Sequence, residues 1–146
     1  MAALSDYLEN KVIDFLLRGQ AFVAPTITYA SLLTAAPSDA GGGTEVTGGS
    51  YARVAIGSSL ANWAGTQAAA STVASSGTSG TTSNNGVITF PAPTANWGVV
   101  TAMAVYDAST AGNLLFYATL TVSKTINSGD AAPSFVAAAL TLQLDN

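Results

Sequence analysis

The sequence predicts a mainly β fold, an antiparallel β-sandwich of jelly-roll type with one N-terminal α-helix. Three observations lead there. Only the first twenty residues repeat their apolar side chains at helical spacing. Beyond Pro25, runs of β-branched and aromatic residues alternate with stretches of Gly, Pro, Ser, Asn and Asp. In the last run, 133–144, Val136, Ala138, Leu140, Leu142 and Leu144 share one face, and Thr141, Gln143 and Asp145 share the other, a pattern of one-sided burial. At 146 residues the chain has the size of one domain and can bury its own core. It is read as a single unit over 1–146: a helix at 1–20 and a β-sandwich over 21–146, with a small-residue arm at 64–86.

The helix carries its own start and stop signals. Ser5 is placed to cap it, Asp6 and Glu9 sit near the positive end of its dipole, and Gly19 ends the pattern. Leu4, Leu8, Val12, Phe15 and Leu16 form an apolar stripe that Ile13 and Leu17 widen, while Asp14 and Arg18 are spaced to pair. Such a helix is expected to dock against a sheet or a neighbouring subunit. "TITYASLLTA" (26–35) reads as the first strand and "APSDAGGG" as a loop. "GGGTEVTGGSYARVAI" (41–56) reads as a glycine-rich connection into a strand over 50–58, in which Tyr51, Arg53 and Ala55 alternate with Ala52, Val54 and Ile56.

Residues 64–86 are almost all small and uncharged, so they bury little apolar area to offset the entropy of ordering them. Left alone such a segment is a loose loop; in an assembly it would lie as an extended arm across a neighbour. Four further strand-like runs follow at 86–92, 98–108, 113–122 and 133–144. "DASTAGN" (107–113) is expected as a hairpin loop and "KTINSGDAAP" (124–133) as a turn-rich link.

Composition excludes several function classes. Charged residues make up 8% of the chain, against about 25% in ordinary soluble domains, which points to a surface partly covered by another chain. The net charge is −4 and the only cations are Lys11, Arg18, Arg53 and Lys124, too few for a phosphate-binding patch. No nucleic-acid or anionic-membrane partner is expected. The N-terminus lacks the pattern of a signal peptide, and no run is apolar enough to span a bilayer. Cysteine is absent, which fits folding in a reducing cytosol.

Histidine is absent as well, so Ser-His-Asp, Cys-His and the common zinc sites are excluded within the chain. Asp39 with Glu45, or Asp107 with Asp130, would be the candidate catalytic carboxylates. Lys124 with Ser123 or Ser128 would be a candidate dyad, and Asp107, Asn113 and Asp130 a candidate calcium site. All lie in turn-forming stretches, where capping or solvation is the ordinary role. The glycines of 41–49 lack the Gly-Lys-Ser/Thr of a phosphate loop. No catalytic residue, cofactor or metal is expected. Trp97 precedes a strand, where closing the core is the commoner role and a glycan platform the rarer one. Trp63, at the edge of the small-residue tract, is placed to anchor the arm.

Four stretches in order carry a resemblance: "DYLENKVIDFLLRG", "LLTAAPSDAGGGTEVTGGSYARVAI", "ITFPAPTANWGVVTAMAVYDASTAGNLLFYATLT" and "KTINSGD". Together they resemble a family of small bacteriophage virion proteins, often labelled tail-fibre or structural proteins. The resemblance implies a particle component made in the host cytoplasm, and it brings no catalytic residues. The chain is short and has no repeat and no coiled-coil heptads, which favours a capsid decoration or cement protein over a fibre. Its expected partners are the major capsid protein and copies of itself in a homotrimer. The expected interface residues are Leu8, Val12, Phe15, Gly42, Glu45, Arg53, Trp63 and Trp97. Arg53 would pair with an acidic neighbour or bond loop carbonyls, or else stand as a solvated strand charge. The alternatives are a tail-fibre or adhesion module binding a host-surface glycan or protein, and a depolymerase.

Overall fold

A computed structural model describes residues 3–144. The order of elements is β1 (Ala3–Leu4), α1 (Asp6–Leu17), β2 (Ile27–Ala35), β3 (Thr44–Glu45), β4 (Val54–Gly57), β5 (Thr81–Ser83), β6 (Ile88–Thr89), β7 (Gly98–Tyr106), β8 (Leu114–Ile126), β9 (Ser134–Phe135) and β10 (Thr141–Gln143). The fold is mainly β and antiparallel with one helix, as the periodicities predict. One six-stranded sheet runs β1-β8-β7-β2-β3, with β4 sharing the β2 edge; β5–β10 and β6–β9 form two small sheets. One large and two small antiparallel sheets are compatible with the sandwich class.

The two faces of the central sheet follow from strand alternation. Ala30 faces Val105 and Leu32 faces Met103 on one side; Ser31 faces Ala104 and Leu33 faces Ala102 on the other. The first side joins Ile56, Ile88, Phe90, Trp97, Leu115, Leu140 and Leu142 in the principal core. The second is a smaller cluster of Leu33, Ala102, Ala104 and Leu114, flanked by Tyr106 and Tyr117.

The helix begins and ends where Ser5 and Gly19 place it, within the 1–20 expected, but Leu4 is corrected out of its stripe: it lies before the cap, in β1, and pairs with Phe116 on β8. The Ser5 hydroxyl accepts a bond from Leu8 N–H and itself donates to the Leu114 carbonyl, while Asp6 N–H donates to Asp39 O. These bonds all lie at the first turn, and Leu8 is the only buried residue of α1. Of the two docking partners expected for the stripe, the chain's own sheet buries Leu8 alone; Val12, Ile13, Phe15, Leu16 and Leu17 stand exposed.

Four strand expectations change. Residues 50–53 are not strand, because Tyr51 N–H closes a turn onto Gly48 O and Ser50 takes a positive φ; regular pairing starts at Val54. The run 86–92 pairs only at Ile88–Thr89, since Pro91 and Pro93 have no N–H to donate. β8 continues through Lys124 to Ile126, through residues read from sequence as a turn. Along it Val100 faces Lys124 but Ala102 faces Thr119, so two steps on β7 span five on β8 in a wide bulge. The run 133–144 is broken into β9 and β10 around Ala138, whose φ is +64°. Leu140 and Leu142 are buried, but Val136 and Leu144 are exposed. Asp145, assigned to the opposite face, lies outside the described residues.

The segment 64–86 folds back on its own chain rather than extending as an arm. Thr66 and Gly77 exchange bonds (Gly77 N–H to Thr66 Oγ1, 3.0 Å), and Ser79 Oγ donates to Thr66 O. A Cβ on Gly77 would stand 2.2 Å from Thr66 O, so only glycine allows this approach. Asn84 then fastens the far end. Its buried amide donates to Gly86 O (2.7 Å) and Val136 O (2.9 Å), and its Oδ1 accepts from Leu140 N–H (2.9 Å).

Candidate functional site

Two of the residues singled out from sequence meet. The glycine connection reverses the chain between β3 and β4 and brings Arg53 back to Glu45. Arg53 Nε reaches Glu45 Oε1 at 2.8 Å and Nη2 reaches Oε2 at 2.7 Å, a two-pronged charge-assisted pair. Arg53 Nη1 donates at 2.8 Å to both Ala108 O and Ala111 O of the β7–β8 hairpin, and the guanidinium lies 3.6 Å from the centre of the Tyr106 ring. Both expected partners of Arg53, an acid and loop carbonyls, are thus supplied by its own chain. The side chain is 7% exposed, so it is not a solvated strand charge.

Tyr51 extends the cluster inward. Its hydroxyl accepts from Leu32 N–H and donates to Glu45 Oε1, both at 2.9 Å. Burial pushes the phenol well above the ordinary tyrosine range; the Leu32 bond opposes the shift and the Glu45 charge adds to it. Its ring meets Trp97 edge-on at 5.3 Å. Trp97 Nε1 donates to Gly49 O at 3.0 Å, and a Cβ on Gly49, at φ +53°, would stand 2.9 Å from that nitrogen. Gly49 thus admits Trp97 to the edge of the core. Sequence reasoning missed Tyr51 and Tyr106, and the one signal for Tyr51 was its place next to the glycine turn.

The remaining candidates separate by role. Leu8 and Trp97 lie inside the chain's own core, whereas Val12 and Phe15 are exposed on α1 and Gly42 is exposed in its loop. Trp63 makes an isolated bridge to Asn84 and lines a groove of about 370 Å³ with Leu4, Leu8, Phe22, Phe116 and Leu142. The groove is walled mainly by apolar side chains, with Thr28, Ser58 and Thr82 among them, and Leu8 and Val12 of α1 border it.

The carboxylates proposed for chemistry serve local structure. Asp107 accepts from Asn113 N–H (2.6 Å) and from the Asn113 amide (2.7 Å), closing the hairpin loop. Asp130 accepts from Asn127 N–H at 2.7 Å, and Asp39 accepts from Ala40 N–H at 3.0 Å. Ser128 Oγ donates to Thr94 O, and Lys124 sits in the β8 ladder rather than in a loop. Among the described residues no three Asp or Glu gather as a metal site, and no helix is long and apolar enough to cross a membrane.

A family model described as podophage GP4 fiber I protein gp80 matches residues 3–143. The chain belongs to that family. It is a small phage virion structural protein, as the resemblance of its four sequence stretches implies. The gp80 family is a structural fibre family and not an enzyme family. Comparison with curated proteins finds no match. Within this gp80-family chain, the match covers α1, the Arg53 corner and all of the sheet.

Proposed function

We propose that this chain is a fibre subunit of a podophage-type virion, working by contact with other virion proteins and with further copies of itself. The family match over residues 3–143 carries the reading. The exposed apolar residues of α1 supply the contact surface such a role needs. The polar corner around Arg53 serves rigidity, holding the β3–β4 connection against the β7–β8 hairpin. A capsid-cement role rests on chain length and the missing repeats alone, and the fibre reading takes precedence over it because the family description names a fibre. In either role the chain stabilises an assembly by mass action, each buried contact favouring the assembled particle.

The test is particle localisation with copy number. Purified virions labelled with antibody to this chain, together with quantitative mass spectrometry, are expected to place a few to a few tens of copies at the tail or its junction with the head. Hundreds of copies spread over the shell would instead establish the cement role. Absence from purified particles would overturn both.

A further inference from the structure

We propose that the C-terminal turns of α1 in one copy seat in the apolar groove beside α1 of a second copy. The proposal rests on the structural reading above and names the contact by which copies of the chain join.

The chain carries both halves of such a contact. Beyond its first turn α1 buries no side chain: Val12 lines the groove at 37% exposed, while Ile13 is 49%, Phe15 54%, Leu16 68% and Leu17 81% exposed. An isolated helix of this length is marginal in water, so two apolar turns left in solvent need a partner to hold their shape. The groove lined by Leu8, Trp63 and Phe116 offers about 370 Å³, room for roughly two Leu- or Phe-sized side chains at protein packing density.

Area points the same way. Leu16 and Leu17 alone expose roughly 280 Å²; in a reciprocal pair, where each helix enters the other copy's groove and each groove loses an equal area, roughly 1,100 Å² is buried, enough to clear the ~1,000 Å² that a specific interface needs. Charge does not oppose the contact, because the groove walls carry no ionised side chain. A reciprocal pair or a ring of three would fill every groove and cover every helix end.

The experiment uses the purified full chain, independent of where it sits on the particle. Light scattering after size exclusion is expected to give the mass of two or three chains. Leu16→Glu with Leu17→Glu, both on the exposed face, is expected to weaken association at least tenfold while the β-sheet circular dichroism is unchanged. The chain has no cysteine, so a mixture of L17C and S58C chains reports the contact directly: oxidation is expected to yield a covalent mixed dimer. A monomer at high micromolar concentration would overturn the proposal, as would an oligomer that the double Glu variant leaves intact. Either outcome leaves the virion role standing, and a virion-free result leaves the helix contact standing.

Discussion

Arg53 and Glu45 form a bidentate ion pair, Nε–Oε1 2.8 Å and Nη2–Oε2 2.7 Å, on a turn whose two arms belong to different strands. The pair is enclosed, with Glu45 24% exposed, and two backbone carbonyls take both Nη1 donors. Removing the cation leaves two carbonyls without their donors and a carboxylate held only by the Tyr51 hydroxyl. Arg53→Ala is expected to lower unfolding free energy by about 2–4 kcal/mol. Arg53→Lys should recover only part of that, because an ammonium cannot make the fork and both carbonyl bonds. Urea unfolding followed by fluorescence measures both; equal stability of R53K and wild type would refute the role given to the fork.

Gly49→Ala combines two penalties. The residue sits at φ +53°, and the new methyl would meet Trp97 Nε1 at 2.9 Å. Gly48→Ala is the control, with φ +71° and open space around the methyl. Both should lose about 1 kcal/mol to backbone strain. Only G49A should also shift the tryptophan emission, by displacing Trp97 from the core.

Alkaline pH should destabilise the chain through Tyr51. Its phenol stays protonated in the folded chain above the pH at which an unfolded tyrosine ionises, near 10. The folded state then binds more protons than the unfolded one, so stability is complete below about pH 10 and falls as pH rises beyond it. Tyr51→Phe should cost about 1–2 kcal/mol at neutral pH, by stranding Leu32 N–H, and should flatten the alkaline decline. Unfolding curves measured from pH 8 to 11 test the slope.

Asn84 is buried and makes three side-chain hydrogen bonds, two as donor. Asn84→Asp is nearly isosteric but aims a carboxylate at Gly86 O and Val136 O. It is expected to cost more than Asn84→Ala, about 3 kcal/mol or above at pH 7, and to recover on acidification as the carboxyl protonates. A ranking in which N84A is the less stable of the two would show that packing, not the donors, decides this site.

Local signals were legible in the sequence and long-range ones were not. Ser5, the acidic first turn and Gly19 bound α1 because capping involves neighbours in the chain. The central strands β2 and β7 follow their β-branched runs. The break at Ala138 was hidden because alternating apolar residues look the same whether the backbone runs straight or turns at a positive φ. Arg53 and Glu45 were both singled out, but their meeting depends on a reversal at Gly48–Tyr51 that residue types only permit. The partner of the helix end stayed open for a related reason: an apolar stripe demands a partner without saying whether that partner is the same chain or a neighbouring subunit.

The bulge in β8 also decides how this chain can and cannot multiply. Past Phe116 and Tyr117, which β1 covers, the outer edge of β8 has no strand beside it among the described residues. A straight edge of that length would invite identical strands to zip on one after another, the route to amyloid. The register jump between Thr119 and Lys124 kinks the edge, and the Lys124 cation sits just past the jump, so no continuous template is presented. Growth of a filament is thereby left to side chains, which can discriminate and stop, and denied to the backbone, which would do neither.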